Sequence, residues 1–211
     1  MSPDLRILTL HRDPVFAQNQ FLTFTPKAGL FVNHLILDLE ATCWDGAPPN
    51  AEKEIIEIGA FKLNAYGEEI GSFNRFVKPI VNPQLSAFCR DLTHIEQAQI
   101  DRAEAFPDAI DRFLDWSAYD VDDFLLVTWG KQDLQLLRDD CARHDVHTDW
   151  LSPHLDLKAS YKDLKRLKKP FGLLKTLDKE GFEFEGQHHR AIDDAYNTAK
   201  IFCRYIDEWP F

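Results

Sequence analysis

The sequence has no uninterrupted apolar run near the about 18–20 residues that cross a bilayer, so a membrane-spanning protein is not expected. Its first residues, MSPDLRILTLHRDPVF, lack the basic region, apolar stretch and small-residue cleavage site of a secretory signal. The four cysteines lie far apart and form no Cys-x-x-Cys pair, which argues against a disulfide framework and a zinc site. We interpret them as buried or idle thiols. These absences predict a cytoplasmic enzyme or binding domain without membrane contact.

Length and composition predict one folded domain. The chain has 211 residues, of which 45% are hydrophobic and 12% are aromatic. Both values are ordinary for a single domain, which typically has about 100–200 residues. The sequence contains no internal repeat and no low-complexity segment. We expect residues 1–33, which hold Pro3, Pro14 and Pro26, to form an irregular arm and residues 34–211 to form the domain.

Apolar patterns predict an α/β domain with a mixed central sheet of about five strands flanked by helices. The predicted strands are HLILDLE (34–40), IIEIGAFKLN (55–64), EIGSFNRFVKP (69–79), FLLVTWG (124–130) and HLDLKAS (154–160). The predicted helices cover residues 94–100, 105–117 and 131–145, two segments around Pro170, and about 190–208. Because the segment Ala65-Tyr66-Gly67-Glu68 predicts a hairpin, the first three strands should be neighbours.

The net charge of −11 argues at first against a nucleic-acid partner, because polyanions repel an acidic protein. The charge is unevenly distributed, however. Residues 158–179, which we call the cationic strip, carry eight basic and two acidic side chains. Such a strip is typical either of a solvated helix face or, beside acidic metal ligands, of a phosphodiesterase.

Asp38 and Glu40 form the first candidate site. As alternate residues of a strand, they project from one face near its C-terminal end, where α/β sheets place ligands. Two carboxylates on one face repel each other unless a cation lies between them or one is protonated. Acid-x-acid pairs also arise by chance in a chain with 35 acidic residues. This pair is distinguished because it ends a buried apolar strand.

Two more acidic positions follow. Asp133 lies in the first turn of the helix after FLLVTWG, where the helix dipole favours an acid regardless of function. In HRAIDD (189–194), helical spacing places Asp194 on the flank of the apolar stripe, where an ionised group is costly unless it is paired or binds metal. Asp193 instead lines up with a predicted solvent face of Asn197, Lys200 and Arg204. His189 either caps this helix or belongs to the site.

Four carboxylates and one histidine make a coherent site if they converge. Oxygen ligands favour Mg²⁺ or Mn²⁺ over zinc. Two such ions about 3.5–4 Å apart can clamp the attacking and leaving oxygens of an in-line phosphoryl displacement. A histidine, with an unperturbed pKa near about 6.5, is suited to accept a proton from the attacking water.

The stretches ILDLEATC (36–43), TWGKQDLQLL (128–137) and HRAIDDAYNTAKI (189–201) resemble the three motifs of the DEDDh exonuclease family, in the RNase H-like superfamily. FCRDLTHI (88–95) and residues 172–197 resemble its exoribonuclease branch, which includes the histone-mRNA and RNA-interference 3′ exonucleases. The resemblance implies an RNase H-like fold and metal-dependent removal of nucleoside 5′-monophosphates from single-stranded 3′ ends. RNA is the expected substrate. Single-stranded DNA, or a nucleic-acid-binding regulatory module with a vestigial site, is the alternative.

The same resemblance implies the roles of individual residues. Two Mg²⁺ or Mn²⁺ ions would be bound by Asp38, Glu40, Asp133 and Asp194. His189 would be the general base. The pocket for the 3′-terminal nucleotide would be lined by Ala41, Thr42 and Thr93, with Trp44 as a stacking surface or a core residue. His94 stands where the family pattern has glycine, beside the expected substrate groove, so it bears on nucleotide preference.

Overall fold

Six strands build one mixed sheet in the computed structural model, which describes residues 33–46, 52–119 and 123–210. The strands are β1 (Asn33–Ala41), β2 (Ile55–Leu63), β3 (Glu69–Lys78), β4 (Glu104–Ala105), β5 (Phe124–Thr128) and β6 (His154–Asp156). Their order across the sheet is β4-β3-β2-β1-β5-β6. The predicted arm, apart from Asn33, lies outside the described residues, as does Phe211 at the end of the predicted domain.

Seven α-helices in the described part of the chain accompany this sheet. They are α1 (Ala87–Thr93), α2 (Gln97–Asp101), α3 (Phe106–Ser117), α4 (Gln132–Arg143), α5 (Leu157–Leu164), α6 (Leu173–Glu180) and α7 (Ala191–Arg204). A 3-10 turn covers Asp149–Leu151. None of the described helices is long and apolar enough to cross a membrane.

The first three strands are antiparallel neighbours, as their sequences predict. Their hairpin closes through Asn64, whose backbone N–H donates to the carbonyl of Glu68 at 2.9 Å. The Asn64 side-chain oxygen also accepts hydrogen bonds from the backbone N–H groups of Tyr66 and Glu68. On its other side β1 pairs in parallel with β5, so the sheet is mixed and the predicted α/β class is confirmed.

The two faces of β1 contact different helices. Leu35, Leu37 and Leu39 pack in a cluster with residues of α3 and α4. Ile36, which points to the opposite face, packs in a second cluster with residues of α5, α6 and α7. Because strand side chains alternate, Asp38 and Glu40 continue the face of Ile36. The topology therefore directs both carboxylates toward the side of the sheet that carries α7.

Two predicted elements differ from the structure. The predicted strand 154–160 ends at Asp156, because the Asp156 carboxylate accepts a hydrogen bond from the Ala159 N–H at 2.9 Å and starts α5 as its N-cap. The predicted helix 94–100 is wrong in its first half. His94 adopts the left-handed conformation with φ 57° and ends α1, and α2 begins only after Glu96. The two-residue strand β4 was not predicted.

Candidate metal centre

Three carboxylates converge at the C-terminal end of β1. Oxygen atoms of Asp38, Glu40 and Asp194 lie within 4.8 Å of one another. Asp38 and Glu40 come from alternate positions of β1, and Asp194 comes from the first turn of α7. Asp194 is 4% exposed and Glu40 is 8% exposed, so this charge is concentrated where water is scarce. The three side chains therefore meet at one place, which a shared site requires.

Glycine at position 59 allows α7 to approach the sheet at this place. Gly59 pairs with Asp38 in the β1–β2 ladder. A Cβ atom at Gly59 would lie 2.2 Å from both the carbonyl carbon of Ala191 and the backbone nitrogen of Ile192. Any side chain larger than hydrogen would therefore push away the first turn of α7, which carries Asp194.

A buried ion pair holds the same turn from its other side. The carboxylate of Glu57, which is fully buried, accepts hydrogen bonds from Arg190 Nε at 3.1 Å and from the second guanidinium nitrogen at 2.7 Å. It also accepts a hydrogen bond from the backbone N–H of Ala191 at 3.1 Å. Glu57 pairs with Glu40 in the β1–β2 ladder. One residue thus fixes the helix start and adds negative charge beside the cluster.

Asp194 is oriented by the two histidines that precede α7. His188 Nδ1 lies 2.9 Å from Asp194 Oδ1, and the backbone N–H of His189 donates to Oδ2 at 2.8 Å. The two imidazole rings stack at a centroid distance of 4.0 Å. His189 has φ 65°, a conformation that is uncommon for a residue with a side chain. The backbone turn at His189 thus directs an amide to Asp194 and places the ring beside it.

Asp133 lies in α4, which packs on the face of β1 opposite to α7. It is the second residue of α4 and is 8% exposed, and the backbone N–H groups of Leu39 and Asp133 itself hydrogen-bond to its carboxylate. Its charge acts on both Asp38 and Asp194. Asp156, at the end of β6, adds another negative charge on the side of Asp133. Asp133 therefore lies within electrostatic range of the three converging carboxylates.

Burial and mutual repulsion make these acids hard to ionise without a counterion. Burial and the charges of Asp194 and Glu57 raise the pKa of Glu40 to about 8. Burial, followed by the charge of Asp133, raises the pKa of Asp38 well above its usual range. Burial raises the pKa of Asp133 to about 7, partly opposed by its backbone hydrogen bonds. The pKa of Asp194 is also raised by burial, although contact with His188 opposes the shift.

This donor set fits divalent hard cations. The carboxylates of Asp38, Glu40 and Asp194 converge, and the charge of Asp133 acts on them, which is an arrangement that a cation between them stabilises. All four donors are carboxylates, which Mg²⁺ and Mn²⁺ prefer. His189 lies at the edge of the cluster, and burial together with the charges of His188 and His94 lowers its pKa. A neutral imidazole is able to accept a proton.

The residues expected to bind the terminal nucleotide differ in burial and in hydrogen bonding. Thr42 and Thr93 are buried, and their hydroxyl groups bond to the protein backbone: Thr42 accepts from the Glu54 N–H at 3.0 Å, and Thr93 donates to the Cys89 carbonyl at 2.8 Å. Ala41 and Trp44 are half-buried at and just after the end of β1. His94 is exposed, and its charge acts on His189.

Three features of this region escape sequence reasoning. No motif in the sequence singles out His188, yet it contacts Asp194. Glu57 is an acidic residue within an apolar strand, and the sequence does not indicate that it is buried and paired with Arg190. The predicted solvent face of α7 is wrong at Asn197 and Lys200, which are 0% and 5% exposed because the segment before α7 covers them. Within this contact, Asn197 Oδ1 accepts from the Glu185 N–H at 3.1 Å.

The cationic strip lies on α5, α6 and the loop between them. Lys158 reaches toward the end of β5, where its Cδ lies 3.6 Å from the position of a Cβ at Gly130. Lys165 is instead held by the carboxylate of Glu180 and the hydroxyl of Tyr205. Lys168 and Lys169 are exposed in the loop. Only part of the predicted strip is therefore free to face a substrate.

Comparison with known proteins identifies similar sequences and structures. The sequence profile of the family described as Exonuclease (RNase_T) matches residues 35–202. The human protein "ERI1 exoribonuclease 2" is 32% identical over 93% of this chain, and human "3'-5' exoribonuclease 1" is 32% identical over 82%. The chain spans 32% and 52% of the lengths of these two relatives.

Solved structures give the same grouping. The nuclease domain of 3'hExo, described as a DEDDh family member bound to rAMP, is 31% identical and superposes with a TM-score of 0.77. That match covers 84% of this chain and 93% of the domain. Escherichia coli Exonuclease I in complex with a dA16 oligonucleotide, at 16% identity and a TM-score of 0.67, shares the fold. These neighbours confirm the predicted RNase H-like architecture.

Proposed function

The chain belongs to the DEDDh family of exonucleases, and we propose that it removes nucleotides from the 3′ end of single-stranded RNA. The products would be nucleoside 5′-monophosphates. The observation that carries this proposal is the convergence of Asp38, Glu40 and Asp194 at one end of β1, with Asp133 and His189 beside them. A structural core gains nothing from clustering carboxylates that repel one another, so the cluster is best explained as a site for cations.

Two Mg²⁺ or Mn²⁺ ions, held by Asp38, Glu40, Asp133 and Asp194, would supply Lewis-acid stabilisation of the charge that develops on the phosphate during hydrolysis. The remaining functions belong to the protein's own side chains. His189, whose pKa is lowered, accepts the proton of the attacking water at an imidazole nitrogen. His188 and the His189 amide orient the Asp194 carboxylate.

Substrate would enter along the exposed side of this centre. We place the terminal nucleotide between the end of β1, at Ala41 and Trp44, and the end of α1, at His94. The buried hydroxyl groups of Thr42 and Thr93 hold these two segments in place through backbone hydrogen bonds. Upstream phosphates would meet Lys158 and the exposed lysines of the loop after α5.

The names of the relatives support RNA over DNA as the proposed substrate. The two human proteins named above are exoribonucleases by name. A further neighbour, 29% identical with a TM-score of 0.78, is described as a 3′-exonuclease that recognises the 3′ end of histone mRNA stem-loop. A DNA-directed nuclease and a binding module that has lost its activity remain the alternatives to be tested.

The test is degradation of matched single-stranded RNA and DNA oligomers, labelled at either end, with Mg²⁺, Mn²⁺ or EDTA. We expect a metal-dependent ladder that shortens from the 3′ end, with faster cleavage of RNA. Asp194→Asn and His189→Ala should abolish cleavage. Asp193→Asn is the matched control, because this neighbouring carboxylate lies outside the cluster and accepts a hydrogen bond from the Gln187 N–H at 2.9 Å.

Each outcome distinguishes one alternative. Faster cleavage of DNA would move the assignment to a deoxyribonuclease of the same fold. Full activity in both the Asp194 and His189 variants would reject the site. Folded protein that binds RNA equally well in Mg²⁺ and EDTA and cleaves neither polymer would be a binding module.

A further inference from the structure

Two of the four cysteines meet beside the end of β1. Cys43 follows the strand, and Cys89 lies in α1. Cys43 packs against the small core cluster that contains Cys89, and the two thiols lie close enough to shift each other's pKa. The Cys89 thiol also donates to the Ala41 carbonyl at 3.7 Å. Ser86 connects their backbones: its hydroxyl donates to the Cys43 carbonyl at 2.6 Å and accepts from the Cys89 N–H at 2.9 Å. Two thiols from distant parts of the sequence are thus held together by a fixed local scaffold.

The pair differs from the other cysteines in setting and access. Cys141 packs in the core cluster under α3 and α4, and Cys203 packs against the cluster on the opposite face of the sheet. Each lies apart from the cluster shared by Cys43 and Cys89. Cys89 is fully buried, whereas Cys43 is half-buried. A small solute can therefore reach the pair through Cys43.

The contact also favours thiolate chemistry. The interaction with Cys43, helped by the charge of Arg90 and partly opposed by burial, lowers the pKa of Cys89. The same contact and burial raise the pKa of Cys43. A thiolate is the reactive form of cysteine, so this pairing favours one deprotonated sulfur beside one that keeps its proton.

We propose that Cys43 and Cys89 form a peroxide-sensitive dithiol that closes to a disulfide. One sulfur, as the thiolate, attacks a peroxide oxygen, breaks the O–O bond and becomes a sulfenic acid, while hydroxide leaves and takes a proton from solvent to give the first water. The second thiol loses its proton and attacks that sulfur, which forms the S–S bond and releases the second water. Two thiols lose two electrons in total, and one hydrogen peroxide is reduced to two waters.

The consequence for activity rests on the proposed function. The disulfide would tie the segment after β1 to α1, which are the two segments between which we place the terminal nucleotide. A covalent link between them restricts the adjustment that binding requires. We expect the linked protein to lose nuclease activity in proportion to the linked fraction and to regain it after reduction with dithiothreitol.

The first experiment reads the thiols directly. The full chain is treated with hydrogen peroxide, its remaining thiols are alkylated, and it is digested for mass spectrometry. We expect a peptide that links Cys43 to Cys89 and a loss of two free thiols. Cys43→Ser should form no such linked peptide. Cys203→Ser is the control and should still form the link. Oxidation confined to other residues, or sulfinic acid at Cys43 without a link, would overturn the proposal.

A second readout follows activity on RNA in the same samples. Inhibition that reverses with dithiothreitol in wild type and Cys203→Ser, and is missing in Cys43→Ser, supports the regulatory consequence. A complete link with unchanged activity, or equal inhibition of Cys43→Ser, would overturn it. The linked peptide is detected without a nuclease assay, so failure of the proposed function leaves the thiol result intact.

Discussion

Gly59 and Ala191 approach so closely that a Cβ atom on the glycine would lie 2.2 Å from the Ala191 carbonyl carbon. This contact sets the height of α7 above the sheet. Asp38 is paired with Gly59 in the ladder, and Asp194 lies within one turn of Ala191. The distance from Asp194 on α7 to the two carboxylates of β1 therefore depends on glycine at position 59.

Gly59→Ala should damage both stability and activity. The added methyl group meets backbone atoms, which cannot rotate away, so the first turn of α7 has to move. We expect a loss of about 1–3 kcal/mol in the free energy of unfolding, the usual range for overpacking. Urea denaturation and the nuclease rate measure the two effects. Gly172→Ala is the control, because a Cβ there meets no atom within 4 Å. Equal stability of both variants would contradict this account.

The ion pair between Glu57 and Arg190 should behave as one unit. Arg190→Met leaves a fully buried carboxylate without its partner, so we expect a loss of about 3–5 kcal/mol in the free energy of unfolding. Glu57→Gln in the Arg190→Met background removes the orphaned charge and should restore part of that loss. A double-mutant cycle by urea denaturation gives the coupling. Strictly additive effects would show that the two side chains act independently.

His188 should act through Asp194 as a positioning residue. It contacts one Asp194 oxygen while the His189 amide holds the other. Removing a hydrogen-bond partner of a metal ligand typically costs about 10–100-fold in metal affinity or activity. We therefore expect His188→Ala to need more Mg²⁺ for half-maximal activity and to recover most of its rate at saturating Mg²⁺.

His189→Ala should stay inactive at any Mg²⁺ concentration, which separates the two histidines. His147→Ala serves as the control, since this exposed ring packs on Tyr119, away from the cluster. An unchanged Mg²⁺ requirement in His188→Ala would show that the His189 amide alone is enough to orient Asp194.

The carboxylate cluster should make the metal-free protein less stable at alkaline pH. Glu40 and Asp133 have pKa values raised from 4.5 and 3.8 to about 8 and about 7. Both bind protons more tightly in the folded state, so their contribution to stability is fully present below about pH 4, falls as the pH rises above the unfolded-state values, and is lost by about pH 7 to 8. Thermal melts in EDTA should show a falling midpoint across this range.

Mg²⁺ should reverse this trend, because it takes the place of the bound protons. We expect the rise in thermal midpoint on adding Mg²⁺ to be larger at a pH above about 8 than at about 6. Glu40→Gln should flatten the pH dependence in EDTA. A Glu40→Gln protein with the wild-type pH dependence would rule out this carboxylate as a source of the effect.

The lysines beside the site should contribute to the salt dependence of RNA affinity. Each phosphate contact on a single strand contributes about 0.7 to the slope of log affinity against log salt. Replacing Lys158, Lys168 and Lys169 with alanine should reduce that slope and weaken binding equally for different sequences. Lys78→Ala is the control, because β3 lies on the opposite side of β1 from β5 and β6 in the strand order. An unchanged slope would mean that the strip is only a solvated surface.

Local signals in the sequence account for much of the fold. Continuous apolar runs identify β1, β2 and β5, and the hairpin residues around Asn64 predict that β2 and β3 are neighbours. Alternation along a strand predicts that Asp38 and Glu40 share one face. Helical spacing selects Asp194 over Asp193 as the buried acid. Each of these inferences uses only the repeat of a strand or a helix, which is a local property of the chain.

The errors occur where a contact outside the repeat of one element, with another segment or at a helix cap, changes the outcome. Lys200 has the spacing of a surface residue, but the segment before α7 covers it, and its Nζ donates to the Glu183 carbonyl at 2.6 Å. Leu157 continues an apolar pattern that suits a strand, but the Asp156 cap starts a helix there. Periodicity describes one element and contains no information about what later packs on it.

The sequence by itself determined the fold class, the order of the acidic motifs and the identity of the side chains that can bind a cation. Only the tertiary structure decided which groups touch: His188 with Asp194, Arg190 with Glu57, and Cys43 with Cys89. These contacts join residues from separate elements or turns, and their geometry follows from how closely α7 and α1 pack on the sheet. Packing of that kind depends on the whole core, and no short stretch of sequence specifies it.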